Sequence, residues 1–244
     1  MDVRGVPGGR RGARAAARSA HPPGPAHPGR DGRGDRVTGL QAEDVLAALA
    51  RTTGDVASAR RVARRFAALD EGERSALLWS EDPGARLVAV LLLVQAMRDS
   101  PDEELTEEYL AAAKAERFDD PVLVDLAAEE LVGAPLVRGA STGHLFALAK
   151  SDVATVRRIA VVAPLAFVKQ GDAEVALGIA GRLVRERGDT VQSAIGRVLR
   201  EVGKRASEPA LIDFLERQGR FLSPAARATA TEHLPPAERD RLRG

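Results

Sequence analysis

The chain has 244 residues, 44% of them apolar, which is enough to bury the core of one large or two small domains and excludes a mainly disordered protein. Cysteine is absent, so disulfide scaffolds, thiolate zinc sites, iron–sulfur clusters and thiol nucleophiles fall away together; six Phe, one Tyr and one Trp are too few for platforms that stack single-stranded bases. The net charge of +1 hides an asymmetry: residues 1–36 carry eight Arg against three Asp, residues 37–135 ten cations against 20 acids, and residues 136–244 18 cations against 12 acids, so a polyanion would meet the C-terminal half.

Residues 1–36 are built from Gly, Pro, Arg and Ala without apolar periodicity and read as a disordered tail. No apolar stretch follows the arginines, which argues against a cleavable signal peptide. A basic nucleic-acid-binding arm, an organelle transit peptide and an overextended start with initiation near Val37 are the alternatives. Residues 37–244 form the predicted folded domain. Its longest apolar run, Leu87 to Val94, has eight residues against the roughly 20 that span a bilayer, so no membrane segment is predicted.

From Gln41 onward apolar residues recur at three and four, and no stretch alternates as a strand would. The predicted fold is all-α. Asp82, Asp120, Asp152, Asp189 and Ser223 each precede a helical pattern and are predicted caps, with Pro83, Pro121 and Pro224 in the first helical position. These caps are spaced 38, 32, 37 and 34 residues apart, with a second helix between them, such as Glu174 to Arg187 or Pro209 to Gln218. Two helices per 30–40 residues is the period of a HEAT or armadillo type α-solenoid, here a single curved domain. Trp79 reads as a core residue.

Polar residues at special places are the candidates for chemistry. In PVLVDLAA, Asp125 interrupts an apolar segment, and its neighbour one turn on is Glu129, a like charge that stabilises nothing. Arg157 and Arg158 lie between Val156 and Ile159 in a segment running on to Lys169, with Pro164 predicted to kink the helix. Along the helix after Asp189, the stripe Val191, Ile195, Val198, Leu199 and Val202 leaves Ser193, Arg197, Arg200 and Lys204 on one polar face. Such a row of cations suits phosphates, and the bland alternative is a solvated face paired with Glu201. Gly196, mid-helix, suggests close approach of another backbone or a ligand. By repeat register Asp125 could share a face with Arg157 or Arg158 and Arg197, where the plain structural reading is an ion pair. The four histidines have no ligand spacing, so no metal site is predicted, and no phosphate-binding Gly loop leads from a strand.

These residues resemble the DNA alkylation repair proteins of the AlkD type, HEAT-like base-excision glycosylases. The similarity runs from about Leu77 to Leu234. It is carried by AIGRVLREVGK (Ala194 to Lys204), VRRIAVVAPLAFVK (Val156 to Lys169) and PVLVDLAAEELVG (Pro121 to Gly133), with LLWSEDPGARLVAVLLL weaker. The resemblance implies excision of cationic N3- or N7-alkylated purines from double-stranded DNA without drawing the base into a pocket. Asp125 matches the catalytic aspartate, and Arg158 the DNA-contacting arginine, unless a one-residue shift selects Arg157. Two tryptophans of the family pattern are replaced, by Pro121 and Arg197, and Gly84 stands where a Glu is frequent.

With the resemblance added, the expectation is a DNA N-glycosylase in which Asp125, as the resemblance implies, is catalytic and Arg157, Arg158, Lys169, Arg197, Arg200 and Lys204 lie on DNA. It is expected to be a cytoplasmic, nucleoid-associated monomer that needs no cofactor and no metal. A non-catalytic protein that reads distorted or branched DNA by shape is the alternative, and a protein-interaction scaffold a more distant one.

Overall fold

The computed structural model describes residues 39–139 and 141–243. The expectation for residues 1–36 lies outside the described residues. Within them the chain is helical and contains no strand: α1 (Ala42–Leu49), α2 (Val56–Arg65), α3 (Glu71–Leu78), α4 (Pro83–Asp99), α5 (Glu103–Lys114), α6 (Pro121–Ala128), α7 (Ala134–Val137), α8 (Gly143–Leu148), α9 (Ala154–Val162), α10 (Leu165–Val168), α11 (Glu174–Leu183), α12 (Asp189–Arg205), α13 (Glu208–Gln218), α14 (Pro224–Ala230) and α15 (Pro236–Arg243). The all-α expectation holds. Helices α4, α6, α9, α12 and α14 pack each on the next in that order, the succession that a stack of helix pairs requires. Their facing residues, among them Val88, Leu93, Leu123, Ile159, Ile195 and Leu199, are fully buried.

Asp82, Asp120 and Ser223 cap as predicted, their side chains accepting from Gly84 and Ala85, from Val122, and from Ala226 respectively. Asp152 and Asp189 do not. The N-cap of α9 is Val153, whose N–H donates to the Ser151 hydroxyl, and α12 is capped by Gly188 so that Asp189 becomes its first residue, where an acid favours the helix dipole. Neither helix has a side-chain cap, and the entry loops are held instead by Glu186 and Arg157. The Glu186 carboxylate accepts from the N–H groups of Arg187 and Gly188, while Arg157 donates to the carbonyls of Ser151 and Asp152.

A second regularity registers the stack. Arg86, Arg157 and Gln192 each lie four residues after their N-cap, and each ties its own entry loop to the entry loop of the next unit. Arg86 donates to the Ser80 carbonyl and to Asp119, both at 2.8 Å. Arg157 adds Glu186 at 2.7 Å. Gln192 donates to the carbonyls of Val184 and Glu186 and accepts from the Ser223 N–H. The equivalent place in α6 is Val124, which is buried and apolar. There the link passes to the following residue, Asp125.

Proline and glycine mark the close contacts. Pro164 separates α9 from α10, as its missing N–H demands. After α6 the chain makes a π-turn over Glu129–Gly133, and the Leu131 carbonyl accepts from the Thr106 hydroxyl at 2.5 Å. A Cβ at Gly133 would collide with the Ala163 carbonyl beside the Pro164 break; one at Gly196 would lie 2.6 Å from the Ala226 carbonyl oxygen. The suspicion about Gly196 is thus met by a backbone, that of α14. Trp79 corrects an expectation: it closes α3 with its carbonyl held by Arg117, and 44% of it is exposed.

Helix propensity alone predicts that Gly133→Ala and Gly196→Ala stabilise by up to about 1 kcal/mol. Collision with fixed backbone reverses the sign: each is expected to cost about 1–3 kcal/mol, or several degrees in Tm, and an unchanged or raised Tm would contradict the packing. His233 generates a pH prediction. Its ring lies against Gly203 and Leu211, neither nitrogen has a partner, and burial lowers its pKa below 6.5, with Lys204 and Arg200 adding to the fall and Glu208 and Glu201 opposing it. The unfolded chain then binds more protons, so stability declines as pH drops through 6.5. Thermal unfolding at several pH values is expected to show this decline in the wild type and a flatter profile in His233→Leu.

Candidate nucleic-acid interface

Three helices meet at Asp125. It projects from α6, 18% exposed, and both its oxygens are taken by Arg158 of α9: Nη2 lies 2.7 Å from Oδ1 and 2.8 Å from Oδ2, and Nε lies 3.1 Å from Oδ1. The fourth and fifth bonds reach onward. Arg158 Nη1 donates to the Thr190 carbonyl and, at 3.1 Å, to the Ser193 hydroxyl, both on α12. Only 4% of the Arg158 side chain is exposed, so one guanidinium ties α6, α9 and α12 together from inside. Of the two adjacent arginines it is Arg158 that meets Asp125; Arg157 is turned to the entry loops. There burial pushes the Glu186 carboxyl up, and the Gly188 N–H and the Arg157 guanidinium overcome that and hold it below the usual range.

A second cation joins from the solvent side. Arg197 of α12 donates through Nη1 to Asp125 Oδ2 at 2.5 Å and is 39% exposed. One carboxylate therefore faces two guanidiniums, and the cluster is net positive. The ion pair that the sequence left open at Asp125 is doubly present. Beneath it, Tyr109 of α5 is fully buried with its hydroxyl unpartnered; burial, and then the Asp125 charge, raise its pKa well above 10 and keep it neutral. Nothing in the sequence pattern marked Tyr109, since its place on α5 is an ordinary core position.

The remaining predicted cations surround this cluster. Lys169, exposed at the end of α10, pairs with Glu129 at 2.5 Å, which accounts for the acid one turn beyond Asp125. Arg200 bridges Glu201 and Glu232 at 3.0 and 3.1 Å, and these partners raise its pKa, Glu232 foremost. Lys204 is exposed one turn further along α12. The expected apolar stripe of α12 is fully buried, which is what holds Ser193, Arg197, Arg200 and Lys204 outward. A cavity of about 420 Å³ between Met97, Leu110, Val132, Leu136 and His144 is lined by none of these cations, and Asp125 does not line it either.

Among the described residues no cluster of His, Asp and Glu has the arrangement of a metal site, and no helix is long and apolar enough to cross a membrane. Neither a curated protein nor a solved structure matches the chain significantly. The family model for DNA alkylation repair enzymes matches residues 54–234, well over half the chain and the whole run of helices from the N-cap region of α2 through α14. The chain belongs to the DNA alkylation repair family.

Proposed function

We propose that the protein is a DNA glycosylase that releases cationic N3- or N7-alkylated purines from duplex DNA, with Asp125 stabilising the sugar cation. The observation that carries this is the fixed presentation of Asp125. Burying an arginine costs several kcal/mol and seldom adds net stability, yet Arg158 is buried and uses three of its five donor bonds to orient one carboxylate that is 18% exposed. An alkylated purine already bears positive charge and leaves readily, so the chemistry left to the protein is to stabilise an oxocarbenium-like sugar and admit water. A carboxylate about 4 Å from that cation, at an effective dielectric near 20, is worth about 4 kcal/mol or roughly a thousandfold in rate.

Phosphate contacts fall to Lys169, Arg197, Arg200 and Lys204, the exposed and half-exposed cations; Arg158, enclosed and with its donors on Asp125, Thr190 and Ser193, positions the carboxylate and leaves the backbone to the others. Arg157 is committed to Glu186 and the Ser151 and Asp152 carbonyls and serves the fold. The carboxylates on Lys169 and Arg200 are no obstacle, because ion pairs this exposed are worth about 0–1 kcal/mol and a phosphate exchanges with them readily.

A second reading has its own support. With Pro121 and Arg197 in place of two indoles, the walls that would press a lesion against Asp125 are absent, and the net-positive cluster suits a backbone better than a cation. A protein that binds distorted or branched DNA by shape would need no more than this.

Base release from methylated duplex distinguishes the two. Asp125→Asn keeps the shape and removes the charge, so single-turnover release is expected to fall by about two to three orders of magnitude with duplex binding retained. Wild-type protein that releases no base would leave the shape-reading alternative. Duplex affinity is also expected to fall with salt, and Lys204→Ala to make the log–log slope shallower by about 0.9; affinity indifferent to salt would contradict any DNA reading.

A further inference from the structure

We propose that Arg197 is a shared guanidinium: it neutralises Asp125 in the free protein and passes to a DNA phosphate when duplex binds, so that binding itself restores the charge of the carboxylate. Its consequence for excision rests on the glycosylase reading, but the exchange is independent of it.

The two arginines on Asp125 differ in a way that assigns the roles. Arg158 is 4% exposed and bonded to Asp125, Thr190 and Ser193, so it has nowhere to go. Arg197 is 39% exposed, and among the described residues its single bond is from Nη1 to Asp125 Oδ2. When Arg197 leaves, both Asp125 oxygens keep a bond to Arg158, so no buried charge is orphaned. The departure is a side-chain swing and not a helix movement, because the neighbouring Gly196 holds α12 against the Ala226 backbone.

A destination is at hand. Arg200 and Lys204 follow Arg197 along α12 at one and two turns, so a phosphate backbone that engages them passes the guanidinium within about 10 Å. Exchange also resolves the conflict of charge at the site. With Arg197 in place the cation developing on the sugar meets a net-positive cluster; with Arg197 on phosphate, Asp125 faces the sugar with one guanidinium behind it. In this protein the position would couple lesion chemistry to correct docking of the backbone.

A double-mutant cycle on unmodified duplex at low salt tests this with wild type, Asp125→Asn, Arg197→Ala and the double variant. Asp125→Asn is expected to tighten binding about fivefold, because Arg197 no longer has to leave a carboxylate, and less than about twofold when Arg197 is already Ala. Arg197→Ala alone is expected to weaken binding and make the salt slope shallower by about 0.9. Equal tightening in both backgrounds, or no tightening in either, overturns the exchange. Should Asp125→Asn fail to fold, the slope of Arg197→Ala decides, and an unchanged slope overturns it. The cycle involves no base release, so a protein that shows the coupling and excises nothing refutes the glycosylase and keeps the exchange.

Discussion

The buried guanidinium of Arg158 is the constraint on which the candidate site depends. Among the described residues it is the one side chain that bonds to α6 through Asp125 and to α12 through Thr190 and Ser193 while itself belonging to α9. An arginine so enclosed persists only where nearly every donor has an acceptor, and removing one charged partner from such a set costs about 3–5 kcal/mol. The geometry of Asp125 is therefore not free to drift. Its direction is set by two parallel bonds to a planar fork whose other edge is fixed in a different helix.

The same logic explains why this carboxylate sits where it does. Elsewhere along the stack, a polar residue four places after the N-cap joins one entry loop to the next: Arg86, Arg157 and Gln192 do so. In α6 that place is taken by buried Val124, and the connection moves to Asp125, on the face toward Arg158 and Arg197. A structural link at the loop edge has become a charged link on the helix face. The π-turn that follows, pressed against Ala163 through Gly133, holds Glu129 beside Lys169 and keeps that edge of the face in balance.

Much of this was legible in the sequence, for identifiable reasons. Apolar recurrence fixed the helices, and the buried stripe of α12 followed directly from it, because periodicity reports burial and little else. Pro164 and Gly196 marked a break and a close contact correctly, since each acts through its own backbone chemistry. Asp152 and Asp189 misled because each lies one residue off the boundary: α9 is entered through Val153, and α12 through Gly188, which puts Asp189 inside the first turn, and neither entry uses a side-chain cap. Trp79 misled because a large ring is apolar on average while its placement is decided by where the helix ends. The ion pairs of Asp125 were open in the sequence and depended on repeat register, which cap spacings of 32–38 residues do not determine to a single position.

On the glycosylase reading proposed above, Arg197 in place of the tryptophan that the resemblance implies changes what the site would demand of DNA. An aromatic wall would attract a cationic lesion by its π-face, whereas a guanidinium repels that lesion and attracts the phosphate beside it. Orientation of Asp125 by Arg158 is then the main asset left for chemistry, and Arg158→Lys isolates it. Lysine keeps the positive charge and loses the bidentate fork. Single-turnover release of N7-methylguanine from duplex is expected to fall about a hundredfold in Arg158→Lys, as misplacement of a catalytic group costs, while duplex affinity changes little. Release at the wild-type rate in that variant, or wild-type release no faster than spontaneous loss of the methylated base, would contradict the role given to the Asp125–Arg158 pair.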